Sequence, residues 1–366
     1  MDKYRKITYF WIIALLILLL FHITTYFVYT SVVYPNPDDN KYIGDLGRTS
    51  YMVDILHERP INKQTFTKSY IDFKDYNGGK VDLVTIGDSF SQGMGFGLNR
   101  FYQDYIVNEY NLKVLNIQQL SGTDNYIETI VLLANSNYLK TIGVKYILIE
   151  SVQREALERL TKRVNFFKIS KNENFTSLIN NQKEIYNINS LSENKITMIN
   201  NLNINALKYN LKYFFSGYGS FGSFYREKLN QKFFTAKSSS DIMFYADDIN
   251  KLSLENVENI KLLNYNLNRL SDILEKQNIK LIFMPAVDKY NLYRKYIINQ
   301  EYPKSLFFED LRSLSKKYYF IDTKEILEKE LKKGVIDLFY SDDTHWSYKA
   351  SEIIIQDDLF RSIVQD

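Results

Sequence analysis

The chain has 366 residues, 45% of them hydrophobic, enough to bury a core in one large or two ordinary domains. Lys and Arg number 46 against 43 Asp and Glu, and a net charge of +3 is too balanced to suggest nucleic acid as a partner. Cysteine is absent, which excludes thiol catalysis, thiolate metal sites and disulfides.

Residues 7–30 read ITYFWIIALLILLLFHITTYFVYT and carry no formal charge. At about 1.5 Å per residue the segment is long enough to cross a hydrocarbon core of roughly 30 Å. Tyr9, Phe10 and Trp11 mark one end, and Tyr26, Phe27 and Tyr29 the other. Lys3, Arg5 and Lys6 precede it, whereas Asp38 and Asp39 are the first charges after it. The positive-inside tendency puts the N-terminus in the cytoplasm and everything after Ser31 outside the cell membrane. The competing reading is a cleaved signal peptide, which would have a shorter apolar region and a small-x-small cleavage site. Neither is seen, so an uncleaved anchor over residues 1–31 is favoured. His22 reads as a lipid-tolerated or partner-facing polar residue within the span. Residues 32–80, with the stiff polar exit Pro35-Asn36-Pro37-Asp38-Asp39, form a stalk and the entry to an ectodomain over 81–366.

Val81 to Ile86 is mostly β-branched or apolar, with Gly78-Gly79 before it and Gly87 after it, which predicts a buried strand. The strand stops at Gly87-Asp88-Ser89-Phe90-Ser91 and runs into the Gly-rich turn Gly93-Met94-Gly95-Phe96-Gly97. A serine at the carboxyl end of a strand, with amides converging at the next helix N-terminus, has the environment of a nucleophile. The alternative is that Asp88-Ser89 only caps a helix. Helical spacing follows over Asn99 to Tyr110, then a strand at Lys113 to Ile117, a loop at Ser121 to Asp124, a helix at Tyr126 to Asn137 and a strand at Lys145 to Glu150. That alternation predicts a doubly wound parallel α/β sheet. From about Leu157 to Asn250 the chain is polar and rich in Asn and Lys, too long for a plain loop, and reads as a mainly helical insertion. The rhythm resumes with a helix near Glu255 to Gln277, a strand at Lys280 to Met284, a helix at Leu306 to Lys317, a strand at Tyr318 to Asp322, a helix at Lys324 to Lys332 and a last helix from Ser347.

A serine enzyme needs a base that titrates near neutrality, and the chain holds only His22, His57 and His345. His22 lies in the span and His57 in the stalk, which leaves His345 in Ser341-Asp342-Asp343-Thr344-His345-Trp346-Ser347. Asp342 or Asp343 is placed to orient its imidazole; an incidental His in a solvated acidic turn is the competing reading. Gly93-x-Gly95-x-Gly97 has no P-loop lysine or dinucleotide fingerprint beside it. Asp247-Asp248 and Asp342-Asp343 lack a ligand cluster, so no metal is expected.

Through Gly87-Asp88-Ser89-Phe90-Ser91 and Asp343-Thr344-His345-Trp346, the chain resembles the SGNH/GDSL hydrolases, and most closely the membrane-tethered branch related to alginate O-acetyltransferases and their DHHW-type relatives. Met284-Pro285-Ala286-Val287-Asp288-Lys289-Tyr290 adds modest support. The resemblance covers roughly Val81 to Glu150 and Lys251 to Phe360. It implies a three-layer α/β/α fold, Ser89 as nucleophile and His345 as base. Asp343 fits the alginate-type D-x-H spacing and Asp342 the D-x-x-H spacing of ordinary esterases; Trp346 favours Asp343. Gly122 fits the block whose amide helps form an oxyanion hole. Where many members carry Gly-x-Asn, this chain has Glu150-Ser151-Val152-Gln153-Arg154-Glu155, so Arg154 is either a substitute donor or half of an ion pair with Glu150 or Glu158. The implied activity is acyl transfer without a cofactor, onto a polysaccharide acceptor, with a multi-spanning membrane acyltransferase as candidate acyl donor. An esterase, or a silent glycan-binding subunit, are the alternatives. Tyr290, Tyr293 and Trp346 are either sugar platforms or ordinary core.

Overall fold

A computed structural model describes residues 2–28, 44–50, 62, 64–95, 97–172, 174–190, 198–216, 219–221 and 224–365. The expected polar exit at Pro35 to Asp39 and His57 lie outside the described residues. Helix α1 (Asp2–Val28) carries the apolar segment; it is long and apolar enough to cross a membrane, with mean hydropathy 2.3, and only 6% of its apolar window is covered by the rest of the chain. After it come α2 (Asp45–Ser50) and the short strand β1 (Ile71–Asp72).

The first half of the α/β unit then runs β2 (Leu83–Ile86), α3 (Tyr102–Tyr110), β3 (Val114–Ile117), α4 (Tyr126–Asn135), α5 (Tyr138–Ile142), β4 (Tyr146–Val152) and α6 (Gln153–Leu160). Two longer helices follow, α7 (Phe175–Ser190) and α8 (Asn201–Ser216), then strands β5 (Gly219–Phe221), β6 (Phe224–Lys228) and β7 (Asp241–Tyr245) and the short α9 (Asp247–Asn250). The second half is α10 (Val257–Glu275), β8 (Lys280–Ala286), α11 (Lys289–Tyr293), α12 (Phe307–Ser313), β9 (Tyr319–Phe320), α13 (Thr323–Lys332), α14 (Tyr348–Ile355) and α15 (Asp358–Gln365).

Six strands form a parallel sheet in the order β1-β3-β2-β4-β8-β9. β2, β3 and β4 are buried along their whole length, as strands covered on both faces must be, which is why they read as mostly apolar runs. From β2 the chain steps one way to β3 and then returns past it to β4. That reversal opens a crevice at the carboxyl ends of β2 and β4, where ligands bind in open α/β sheets. The turn carrying Ser89 emerges there.

Three expectations need correction. The sheet begins before residue 81: β1 pairs with β3 in the register Ile71–Leu115 and Asp72–Asn116, and Phe73 and Tyr76 enter the core, so this part of the stretch 32–80 is not stalk. The insertion holds, besides α7 and α8, a separate antiparallel sheet of β5, β6 and β7 that the helical reading omits. A buried Arg226–Asp241 ion pair at 2.5 Å joins its two longer strands. No helix starts at Asp88-Ser89 either: residues 88–95 are turns, and α3 begins at Tyr102.

Candidate active site

The turn after β2 is held from beneath. Ser91 N and Gln92 N donate to Asp88 O, and Met94 N donates to Ser89 O at 3.0 Å, so Ser89 sits at the start of a closed turn. Asp88 Oδ2 accepts from Val152 N at 2.9 Å and from Arg159 Nη1 at 2.8 Å, tying the turn to the end of β4. Glu150, fully buried at that strand end, accepts from Asp88 N (3.1 Å) and from Ser91 Oγ (2.8 Å) with one oxygen. Burial and the neighbouring Asp88 carboxylate raise Glu150 well above the ordinary carboxyl range. Gly87 is where this packing leaves no room: a Cβ there would lie 2.1 Å from Ser91 Oγ and 2.4 Å from Glu150 Oε2.

Across the crevice, the loop 340–347 brings His345 to Ser89. Their side chains, 256 positions apart in sequence, meet with Nε2 2.7 Å from Oγ. On the other side of the ring, Nδ1 is 2.7 Å from Asp343 Oδ1, and the same oxygen accepts the His345 backbone N–H at 3.0 Å. With Asp343 as acceptor, Nδ1 carries the proton and Nε2 is left to accept from the serine hydroxyl. Asp342 points elsewhere; its Oδ2 accepts from Gly44 N at 2.8 Å. The carboxylate that meets His345 is thus Asp343, at the D-x-H spacing.

A second carboxylate reaches this loop from α2. Asp45 accepts from Thr344 N (2.8 Å) and Thr344 Oγ1 (2.6 Å), with Oδ2 4.0 Å from His345 Nδ1. Gly44 lies so close to the loop that a Cβ would sit 2.1 Å from Asp342 O. Desolvation and repulsion from Asp343 push Asp45 up to about 6. For His345, burial disfavours the imidazolium, but the hydrogen bond and charge of Asp343, aided by Asp45, outweigh it and raise its pKa above 6.5. Asp45, Asp343 and His345 also bring three ligand-type atoms within 4.8 Å of one another, but His345 Nδ1 is already bonded to Asp343.

Lys289, in the Met284 to Tyr290 segment, anchors the loop from inside. Its buried ammonium donates to Tyr340 O (3.0 Å), Ser341 O (3.1 Å) and Asp343 O (2.6 Å). Burial lowers its pKa to about 8 against the pull of Asp343, Asp45 and Asp342. Met243 N of the small sheet donates to Ser341 O at 3.2 Å, so the insertion supports the loop as well. Asp45, Glu150 and Lys289 went unrecognised as site residues in the sequence, although Glu150 and Lys289 both lie in segments that the resemblance had marked.

The remaining candidates are distributed differently. Arg154 pairs with Asp288 (2.8 Å) and Asp248 (3.1 Å), rather than with Glu150 or Glu158, and its guanidinium lies 5.4 Å from the Tyr245 ring centre. Its charge still reaches His345 and favours the neutral imidazole. Gly122 occupies an exposed turn after β3 with φ +80°, and its carbonyl accepts from Lys168 Nζ, which also bonds Glu128 at 2.6 Å. The sugar-platform reading of the aromatics is corrected. Tyr290 and Tyr293 are wholly buried, Tyr290 against Phe244 and Tyr293 against Phe233, Phe234 and Phe339. Trp346 is also buried, edge-on to Phe90 at 4.8 Å, and Phe90 in turn lies 4.9 Å from the His345 ring. Phe90 thus packs on the His345 ring with Trp346 behind it, and neither ring faces solvent. Beside the Gly-rich turn, a cleft of about 640 Å³ is lined by Phe66, Gly97, Leu98, Arg100, Phe101 and Asp104.

Comparison with protein-family models gives no match to this chain, and comparison with curated protein sequences gives none either.

Proposed function

We propose that the chain is a single-pass, extracytoplasmic acyltransferase of the three-layer SGNH type, which moves an acyl group, in the simplest case acetyl, onto a hydroxyl of a cell-envelope or secreted polysaccharide. The observation that carries this reading is the hydrogen-bonded line from Ser89 through His345 to Asp343. In the first half-reaction His345 Nε2 takes the Oγ proton as Oγ bonds to the acyl carbon, and Asp343 stabilises the imidazolium. Collapse of the tetrahedral intermediate breaks the bond to the donor's leaving group, which departs with the proton from His345. In the second half-reaction an acceptor hydroxyl gives its proton to His345, attacks acyl-Ser89 and releases the serine. Backbone amides at Ser89 and Gly122 are assigned to the oxyanion. Arg154 is left to its two carboxylates. A multi-spanning membrane acyltransferase is the proposed acyl donor.

Esterase chemistry is the second reading, favoured by one observation: the aromatics expected to seat a sugar acceptor are core residues. The full-length protein in lipid nanodiscs, given an activated acetyl ester with and without glycan, separates the two. Transfer requires that glycan divert acetyl from water; release to water at the same rate with or without glycan leaves the esterase. If Ser89→Ala changes neither, both enzymatic readings fall and a glycan-binding or assembly role replaces them. A reporter fused to the C-terminus tests the topology, and a cytoplasmic signal would remove the polysaccharide as substrate.

A further inference from the structure

Helix α8 presents an apolar face that the rest of the described chain does not cover. Ile204, Leu207 and Leu211 are exposed, and Phe214 and Phe215 are 80% and 82% exposed. At 3.6 residues per turn these five positions fall within a sector of about 100°, with the exposed Lys208 and Lys212 along one margin. Along the other margin, buried Asn203 meets α1: its Nδ2 lies 2.9 Å from His22 Nδ1. That contact gives the polar group inside the apolar segment a partner, and it places the first turn of α8 against the span. His22 lies six residues before the end of α1 at Val28, about 9 Å along the helix axis. An interfacial helix buries its apolar face by about 5–10 Å. The first turn of α8 thus meets α1 within that distance of the helix end.

We propose that α8 lies in the membrane interface, with Ile204, Leu207, Leu211, Phe214 and Phe215 among the acyl chains and Lys208 and Lys212 at the lipid phosphates. The proposal rests on α1 crossing the bilayer, and it holds whatever chemistry Ser89 performs. The His22–Asn203 contact holds the first turn of α8 against the apolar segment of α1. The margin of an apolar sector is where lysine side chains snorkel to the headgroups. A consequence follows for the site. α2 packs against α8, and Asp45 of α2 holds Thr344, so docking of α8 brings the loop of His345 towards the bilayer surface.

The absence of cysteine allows single spin labels to be placed in the otherwise unchanged full chain. Three variants, Leu16→Cys in α1, Phe214→Cys in α8 and Lys276→Cys at the end of α10, are labelled in phosphatidylcholine nanodiscs containing phosphatidylglycerol. Collision with oxygen, which partitions into lipid, is compared with collision with a water-soluble nickel chelate. The oxygen-to-nickel ratio at Phe214→Cys should resemble that at Leu16→Cys and exceed that at Lys276→Cys several-fold. A lipid-like ratio at Leu16→Cys with a water-like ratio at Phe214→Cys overturns the proposal and leaves the anchor intact. A water-like ratio at Leu16→Cys removes the anchor and the proposal together. Shielding of Phe214→Cys from both reagents, or spin–spin broadening between copies, shows that protein covers the face and also overturns it. A second arm uses Lys208→Glu/Lys212→Glu in the labelled Phe214→Cys chain: its ratio should fall when phosphatidylglycerol is present, and an unchanged ratio refutes the lysine contacts.

Discussion

Replacing Asp343 by Asn, beside Asp342 by Asn, tests which carboxylate serves the base. Asp343 Oδ1 lies 2.7 Å from His345 Nδ1, and unit charges at that separation interact by about 6 kcal/mol at an effective dielectric of about 20. An amide keeps the shape but loses the charge, and in one of its two orientations it turns a donor towards Nδ1, favouring the wrong tautomer. Part of the Coulomb energy is regained because neutral His345 is easier to bury, leaving a loss of about 4–5 kcal/mol in transition-state stabilisation. At 1.36 kcal/mol per decade this corresponds to roughly a thousandfold drop in kcat/KM. Asp342 accepts from Gly44 N and does not touch the imidazole, so Asp342→Asn should cost about 1–2 kcal/mol of stability and leave turnover within about threefold of the parent. The assay is turnover of an activated acetyl ester by the full chain in nanodiscs, with denaturant unfolding as the stability control. Asp343→Asn within about tenfold of the parent, or Asp342→Asn falling as far as Asp343→Asn, would refute the assignment.

The raised pKa of His345 means that activity, which needs the neutral imidazole, is present above that pKa and is lost as pH falls through it. Asp45→Asn removes one carboxylate that raises it, so the acid limb of the kcat/KM profile should move to lower pH; an unmoved limb would show that Asp45 does not act on His345. Lys289→Met leaves three loop carbonyls without their ammonium donor, and the expected cost is on the order of 3 kcal/mol in denaturant unfolding, with kcat reduced more than KM is changed. A variant as stable as the parent would mean that the loop holds itself. Gly87→Ala forces a methyl into Ser91 and Glu150, and should cost about 1–3 kcal/mol and most of the activity, whereas Gly334→Ala, with open space around it, tests strain alone because its φ is +85°. Gly87 itself is not left-handed, so a Gly87→Ala chain with the stability and activity of the parent would show that Ser91 and Glu150 move aside.

Much of the sheet was legible because each strand is a local pattern. Val81 to Ile86 and Lys145 to Glu150 are mostly apolar runs between turn signals, and the structure keeps both with ends moved by about two residues. Where the crevice opens was not legible, since the step back from β3 to β4 is a matter of strand order, which the tertiary structure supplies. The end of the insertion was not legible. Its three strands lie in an Asn- and Lys-rich stretch, are 3 to 5 residues long, and gain their burial from the rest of the fold, as Met243 does against Ser341.

At the site, the sequence alone determined the chemistry on offer. A chain without cysteine, with three histidines and one Gly-Asp-Ser at a strand end, directs attention to Ser89 and His345 by elimination. It could not choose between adjacent Asp342 and Asp343, because both lie within reach of an imidazole until the backbone of the loop is fixed. Tertiary structure made that choice by turning Asp342 towards Gly44, 298 positions away, and by locking the loop's carbonyls onto Lys289. It also brought in Asp45, whose local sequence carries no sign of the site, and Glu150, which the sequence marked only as a partner for Arg154, and it buried Tyr290, Tyr293 and Trp346. Local pattern reports which side of an element is apolar; which polar groups meet depends on long-range packing, where the cost of leaving a buried group unpaired selects one partner among many.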